Sequence, residues 1–588
     1  MPSTTFNNFK FELKKIGRGI KKLRFFKFMD IGKTFRAMPR KEKVVVLALL
    51  AILLIDAGAS IGHAYVRHTT PIPAYGGTYS EGLVGGPRYI NPVAAQTQTD
   101  KDLVKLVYSG LYKYDGNGKL VPDLAESDIQ FGDGTKVYVV KMKPNLKWQD
   151  GQSVTADDVV FTIQLLQNPD YKSPVRKLWQ NITVEKVDDL TVKFTNTDVS
   201  SPFVTNLTLG ILPKHIWSNI SADGFYIAKQ NLEPVGSGPY FVKEISKTVN
   251  GDVKSLSMES FSNYQAGKPF IDNLNFKFYG SNDEAFAAFH AKETDSFGYV
   301  PFDPKVFADE NKRGINTVQV PLYQYQALFF NMGTNSKVFG DAAVRQALAA
   351  AFDRSSFIND VYGSEAKPLT TPVMPGQIGF NQGAQDVYAF NQQLAEQALD
   401  SAGWPKDPQS GLRSKNGVPL KFTITTSDFI MNVKSAENLQ SQWREIGADV
   451  SVNVVPTSDL INSIRSRNYE TLLFSENTGY DPDPFAFWHS SQVQNPGLNL
   501  AQYRNNVADQ LITAARSTFD NNSRNQKYFD LSNLFLQDSP AIILVQNTFV
   551  YEMRGDVHGM NIQYMASPQD RFNTINQWYL ATRRIFNK

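Results

Sequence analysis

GLYKYDGNGKLVPDLAES at residues 110–127 and KMKPNLKWQDGQSVTADDVVFTIQ at residues 141–164 decide how this chain is read. Asp115-Gly116-Asn117-Gly118 is a turn, because Gly and Asn tolerate positive φ. Gly132-Asp133-Gly134 is a second turn. After it Val137, Val139 and Lys141 alternate with Tyr138, Val140 and Met142, the period of a strand. Thr155-Ala156-Asp157-Asp158 is a capping box: the Thr155 hydroxyl takes a first-turn amide and Asp158 reaches back. Val159, Ile163 and Leu166 then line one helical face. The stretch is a hairpin-rich sheet followed by a capped helix, and its residues read as scaffold. A calcium loop starting at Asp115 is excluded, because Leu120 stands where that loop needs Gly and Lys119 replaces an oxygen ligand.

Outward from this stretch, composition narrows the function classes. The 588 residues are 42% hydrophobic and 20% charged, enough for a large core and more than one domain. The chain has no cysteine, which excludes disulfides, thiolate metal sites, a cysteine nucleophile and a lipidated N-terminal Cys. The six histidines show no i, i+4 pair, so no metal site and no cofactor are expected. Residues 1–43 carry thirteen Lys/Arg and three Asp/Glu, which leaves the rest at −7 against an overall +3. The basicity belongs to the tail, and nucleic-acid binding by the main body is not indicated.

Residues 44–55 are twelve uninterrupted apolar residues, followed by Asp56 and then small and apolar residues to Val66. Read as 44–66, the segment is long enough to span a bilayer, which takes ~20 residues. Read as 44–55, it has the length of a signal-peptide apolar region, with Ala57-Gly58-Ala59 as a cleavage site. The long basic region in front favours the uncleaved anchor. In either case residues 1–43 stay cytoplasmic and the chain beyond about residue 67 lies outside. Pro71 and Pro73 mark residues 67–75 as a linker.

Strand-like and helix-like segments alternate further on, as in a mixed α/β protein. Ser281 with Glu284 caps a helix carrying Phe286 and Phe289. Residues 341–353 form a helix with Val344, Leu348, Ala351 and Phe352 on one face. A third helix turns Leu394, Ala398 and Ala402 inward and ends at Gly403. A fourth carries Leu439, Trp443 and Ile446, ends at Gly447, and leads into a strand alternating Val450, Val452 and Val454.

The stretch at 110–164 resembles the N-terminal signature of the family 5 extracellular solute-binding proteins, the peptide-binding receptors that feed ABC importers. Six further segments resemble the same family in the same order. They are Gly76-Gly77-Thr78-Tyr79 through Asn91-Pro92, Pro234-Val235-Gly236-Ser237-Gly238-Pro239-Tyr240, residues 285–297, Phe330-Asn331 with VFGDAAVRQALAAAFDR at 338–354, LDSAGWP at 399–405, and Asp481-Pro482-Asp483-Pro484-Phe485. Together they cover about residues 76 to 550.

The resemblance implies an α/β, two-lobed fold of the type II periplasmic-binding-protein kind with an additional inserted domain, preceded by a transmembrane helix. Lobe I would comprise 76–108, 236–322 and 546–588, the inserted domain 109–235, and lobe II 323–545. It implies a monomeric receptor without catalysis, whose partners are a peptide or other small solute and ABC permease subunits. Ligand contacts in both lobes would favour closure. Gln96, Thr97 and Gln98 match a segment that pairs its backbone with bound peptide in relatives, or form a surface turn. Tyr323, Gln324 and Tyr325 precede Phe329-Phe330-Asn331 on a connecting strand. Residues 474–488 are the leading candidate, mixing Tyr480, Phe485 and Trp488 with Asp481 and Asp483, although the DPDP run also reads as a turn. Asn477 and Thr478 complete the candidate set. Peptide-binding relatives place an aspartate where this chain has Thr478, and that aspartate pairs with the peptide's free amine. Thr478 carries no charge, so the expected ligand is a blocked or longer peptide, or a different solute. Glu476 is the nearest carboxylate. The rival readings are an extracellular hydrolase, for which no nucleophile elbow, HExxH or His-Asp-Ser set is present, and a ligand-free adhesion or chaperone protein.

Overall fold

The computed structural model describes residues 35–132, 135–300, 314–333, 338–363, 366–386 and 389–587. It divides into a small unit, Met1–Ile72 with Thr582–Lys588, and a large unit, Pro73–Ala581. In the small unit a 29-residue helix, Arg40–His68, is long and apolar enough to cross a membrane. Residues 69–74, read above as part of a linker, instead form a strand paired with Ala581–Phe586. Arg584 fastens this pairing, donating to the Thr69 hydroxyl at 2.7 Å and to its carbonyl at 2.8 Å.

The large unit is built on a mixed sheet. In order across it run Asp449–Val455, Lys421–Ser427, Thr471–Asn477, Ile315–Phe330, Ala541–Arg554, Ser296–Val300, Thr78–Val84, Asn273–Tyr279, Val253–Ser260 and Tyr240–Lys247. Ile315–Phe330 and Ala541–Arg554 are its long central pair, antiparallel over nearly their whole length. Their far end pairs with Thr471–Asn477 and their near end with Ser296–Val300. Between the two ends the ladder breaks: Pro321 faces Thr548, but the next paired residue, Tyr325, faces Gln546. Proline has no N–H to give to a ladder, and the extra residues bulge out.

Around the far end, side chains alternate between two cores. Tyr323, Tyr325, Ala327 and Phe329 enter one, while Leu328 and Phe330 enter the other. The near end has a third core, in which Leu124, Trp148 and Phe194 of the signature region pack continuously with Tyr79, Leu274 and Trp578.

The signature folds as its pattern dictates. Tyr112–Tyr114 and Leu120–Pro122 form a hairpin whose turn places Gly118 at φ +77°. Tyr138, Val140 and Met142 are buried, as are Val159, Ile163 and Leu166 on the helix Ala156–Gln167. The Asp158 carboxylate accepts the Thr155 N–H at 2.9 Å. The second turn, at Asp133-Gly134, lies outside the described residues. Two expectations need correction. Residues 341–353 are not one helix: Ala342–Ala350 ends, and Asp353 caps a new helix, Arg354–Tyr362, by accepting the N–H groups of Ser355 and Ser356. On Gln392–Ser401 the inward row is Ala395 and Leu399, and Leu394 is exposed, because the buried stripe lies one residue, about 100° of helix, from the one expected.

Candidate functional site

The break at residues 321–325 frees backbone and side chains in the middle of the sheet. The Leu322 carbonyl is taken by the Gln546 amide at 2.9 Å, and the Tyr323 N–H donates to Met565 O at 2.7 Å. Leu322 and Gln324 then form part of the wall of a cavity of about 340 Å3. Gln98, Asp102, Asn282, Asn477 and Arg571 face the same space. The wall is mixed: the amides of Gln98, Asn282, Gln324 and Asn477 stand among the apolar Leu83, Val84, Leu322, Ala566 and Pro568.

Its charged groups neutralise one another. Arg571 is buried and donates to Glu81 at 2.7 Å and to Asp102 at 2.6 Å. The Tyr551 hydroxyl donates to the second Glu81 oxygen at 2.6 Å. Burial pushes the Glu81 carboxyl above its usual range despite the Arg571 charge beside it. Gln98 donates to Asp102 at 2.7 Å, which ties the start of its helix to this network.

Thr97 is the N-cap of the helix Gln98–Val107 in a capping box with Asp100. The Asp100 carboxylate accepts the N–H groups of Gln96 and Thr97 at 3.3 and 3.2 Å and also those of Arg88 and Tyr89 at 2.8 and 2.9 Å. The amides of Gln96 and Thr97 are thus already engaged, and Gln98 presents its side chain to the cavity. The signal was local: Thr97-x-x-Asp100 is the same capping pattern as Thr155-x-x-Asp158.

Beyond Asn477 the chain turns through Thr478 and Gly479 to a second cavity of about 590 Å3. Tyr114, Gly118 and Leu120 of the signature hairpin form one wall, and Tyr480, Asp481, Arg524 and three asparagines (Asn521, Asn522, Asn525) form the other. Asp481 and Arg524 make a bidentate pair at 2.6 and 2.7 Å, with Arg524 buried. Asp483 pairs with Arg516 at 3.2 Å, and burial pushes its carboxyl up to about 6. Arg516 also covers the Phe485 ring at 4.3 Å.

Of the residues singled out in the sequence, Gln98, Gln324 and Asn477 meet at the smaller cavity, and Tyr480 and Asp481 line the larger. Thr478 is occupied within its own side of the cleft, accepting from Gln377 at 2.9 Å. Tyr325 and Trp488 are buried in the core and line neither cavity, and Tyr323 packs beneath Tyr480. Asp483 and Phe485 stand behind Asp481, held by Arg516. Glu476 turns inward, where the Tyr325 hydroxyl donates to it and burial pushes its carboxyl up to about 8. It is therefore no substitute for a cleft carboxylate. Sequence reasoning missed Arg571 and Arg524, whose partners lie 490 and 43 residues away. It also read the hairpin at 112–122 as scaffold alone.

The family description "Bacterial extracellular solute-binding proteins, family 5 Middle" matches residues 119–497. The Bacillus subtilis oligopeptide-binding protein AppA is 28% identical over 560 residues, covering 92% of this chain and 99% of AppA. The Escherichia coli dipeptide-binding protein is 26% identical over 516 residues, covering 82% of this chain and 91% of that one. The structure of Bacillus subtilis AppA in complex with a nonapeptide superposes with a TM-score of 0.67 at 27% identity, covering 87% of this chain and 100% of that one. A two-lobed α/β sheet crossed by one long strand pair, with a polar cleft at the crossing, is the architecture of the type II periplasmic binding proteins. The chain belongs to the family 5 bacterial extracellular solute-binding proteins.

Proposed function

We propose that this protein is the membrane-anchored receptor of an ABC importer and that its ligand is a peptide recognised without a free N-terminal ammonium group. The relatives named above bind oligopeptides and dipeptides. The observation that carries the amine-independent reading is the charge inventory of the cleft. Among the described residues every charged side chain on the two cavity walls is already paired, Asp102 with Arg571 and Asp481 with Arg524, and the family resemblance implies that the uncharged Thr478 stands at the position of the relatives' amine-binding carboxylate. The amides of Gln98, Gln324, Asn282 and Asn477 suit a peptide main chain, which needs neutral donors and acceptors.

In this reading lobe I comprises 76–108, 236–322 and 546–588, the insertion 109–235, and lobe II 323–545. The lobe borders at 322/323 and 545/546 fall at the break in the central ladder, where the fewest backbone bonds resist bending. Arg40–His68 anchors a monomer whose binding domain lies outside the cytoplasmic membrane. Isothermal titration with matched pairs of free and N-acetylated peptides tests the ligand class. Acetylation is expected to change Kd by less than ~3-fold, with the peptide recovered intact. A loss above ~10-fold on acetylation, or about 1.4 kcal/mol, together with abolition of free-peptide binding by Thr478→Val, would overturn it.

A further inference from the structure

The helices Asn506–Arg516 and Asn521–Asp538 are joined by residues 517–520. Asp520 caps the second helix, accepting the Ser523 N–H at 2.9 Å. Phe519 precedes that cap. From this position an apolar side chain ordinarily packs back on the fourth residue of its own helix. Here that residue is Arg524, which is committed to Asp481. The Phe519 ring packs instead on residues of the segment 109–235. Its centroid lies 4.8 Å from the Phe131 ring, with planes 61° apart, and 6.2 Å from the Tyr138 ring.

Phe131 and Tyr138 face one another on the adjacent strands Gln130–Gly132 and Val137–Lys141. Tyr138 is buried and meets Phe203 at 4.7 Å. Two residues before Phe203, the Ser201 hydroxyl lies 3.5 Å from the Ala515 carbonyl, in the last turn of Asn506–Arg516. Among the described residues, Phe519 is the one side chain from 323–545 that packs on the core of Leu124, Trp148, Phe194, Tyr79 and Trp578. That core runs unbroken from 109–235 into 76–108 and 546–588, and close-packed interiors move as units. Phe519 therefore reaches across from the other lobe. Phe131, Tyr138 and Phe519 line neither cavity.

Building on the lobe division proposed above, we propose that Phe519 is a latch that holds part of the receptor closed before any ligand arrives. Opening at 322/323 and 545/546 withdraws the ring from Phe131 and Tyr138 and exposes it to water, so apolar burial and the aromatic contact both favour closure. A ligand that touches both lobes binds the closed state, and its apparent affinity scales with the closed fraction. Loss of the latch therefore weakens every ligand by the same factor, whatever its sequence.

The chain has no cysteine, so spin labels can be placed on two introduced ones, Thr183→Cys and Gln526→Cys, both at exposed positions. Double electron–electron resonance without peptide is expected to show a closed population in the labelled protein, reduced at least ~5-fold by Phe519→Ala. Phe131→Ala is expected to act in the same way, and the double variant no more than either alone, because each removes the same contact. Calorimetry with several N-acetylated peptides is expected to show Kd raised ~10-fold in Phe519→Ala, by one factor for all of them, and raised less in Phe519→Leu, which keeps an apolar side chain and guards against a variant that fails to fold. No closed population in the unliganded labelled protein, an unchanged one in Phe519→Ala and Phe519→Leu, or effects of Phe131→Ala and Phe519→Ala that add in full would overturn the latch while the receptor reading stands. Binding of no peptide would overturn the ligand reading, and the distances would still decide the latch.

Discussion

Glu476 shows what the chain does with a carboxylate next to a binding cleft. It lies one residue from Asn477, yet it points away from the cavity into the core beside Tyr325. Desolvation raises its pKa from 4.5 to about 8, so the folded protein holds a proton there that the unfolded chain releases above about pH 4.5. Its contribution to stability is thus complete below pH 4.5 and is lost as pH rises through about 8. Each unit in that window is worth about 1.4 kcal/mol, on the order of 5 kcal/mol as an upper limit. Glu476→Gln keeps an acceptor for Tyr325 and removes the titration. Urea unfolding at pH 5, 7 and 9 is expected to show a variant whose stability relative to wild type rises steadily with pH. A constant difference across the three would show that the carboxyl is not held neutral.

The helix Gln98–Val107 brings Gln98 to the cavity, and the orientation of its first turn depends on one carboxylate. Asp100 accepts four backbone N–H groups, from Arg88, Tyr89, Gln96 and Thr97. An ordinary cap is worth ~1 kcal/mol, and leaving further buried donors unpaired costs more. Asp100→Ala is expected to cost about 2–4 kcal/mol by chemical denaturation and to weaken ligand binding through Gln98. Thr97→Ala, which removes only the Thr97 hydroxyl contact, is expected to cost about 1 kcal/mol. Equal losses in the two variants would mean that Asp100 acts only as a cap. At this scale the central strand pair explains the cleft as well: a proline and a two-against-four register slip open the ladder where Leu322 and Gln324 line the smaller cavity.

At the scale of the molecule, the apolar helix Arg40–His68 belongs to the smaller of the two units, and by length and composition it can cross a membrane. Asp56 lies within that helix, and a carboxylate at the bilayer centre is costly, so it is expected near the outer interface. The intact mass of detergent-extracted protein is expected to include residues 1–66, and salt or alkaline washing is expected to leave the protein on the membrane. A mature species starting near Ala59 and released into solution would show instead that the segment is a signal peptide.

What could be read locally was read from patterns that are complete within about twenty residues. The Asp115–Gly118 turn, the alternation of Tyr138, Val140 and Met142, and the capping box at Thr155 each carry their own hydrogen-bond partners or periodicity, and their family signature identified the fold. The failure at Leu394 was a one-residue shift in a stripe rich in alanine, where neighbouring faces differ little in hydrophobicity, and the failure at 341–353 was a missed cap, since Asp353 starts a new helix while Val344, Leu348, Ala351 and Phe352 are buried as expected. The cleft was legible only in part, because it is assembled from residues near 98, 118, 324, 480, 524 and 571 that no window contains. The chain alone specified a solute-binding architecture. Only the tertiary structure decided that Arg571 and Arg524 are neutralised by distant carboxylates, that Glu476 is buried, and that Tyr480 and Asp481 line one cavity with the hairpin at 112–122, since burial and charge pairing are properties of neighbours in space.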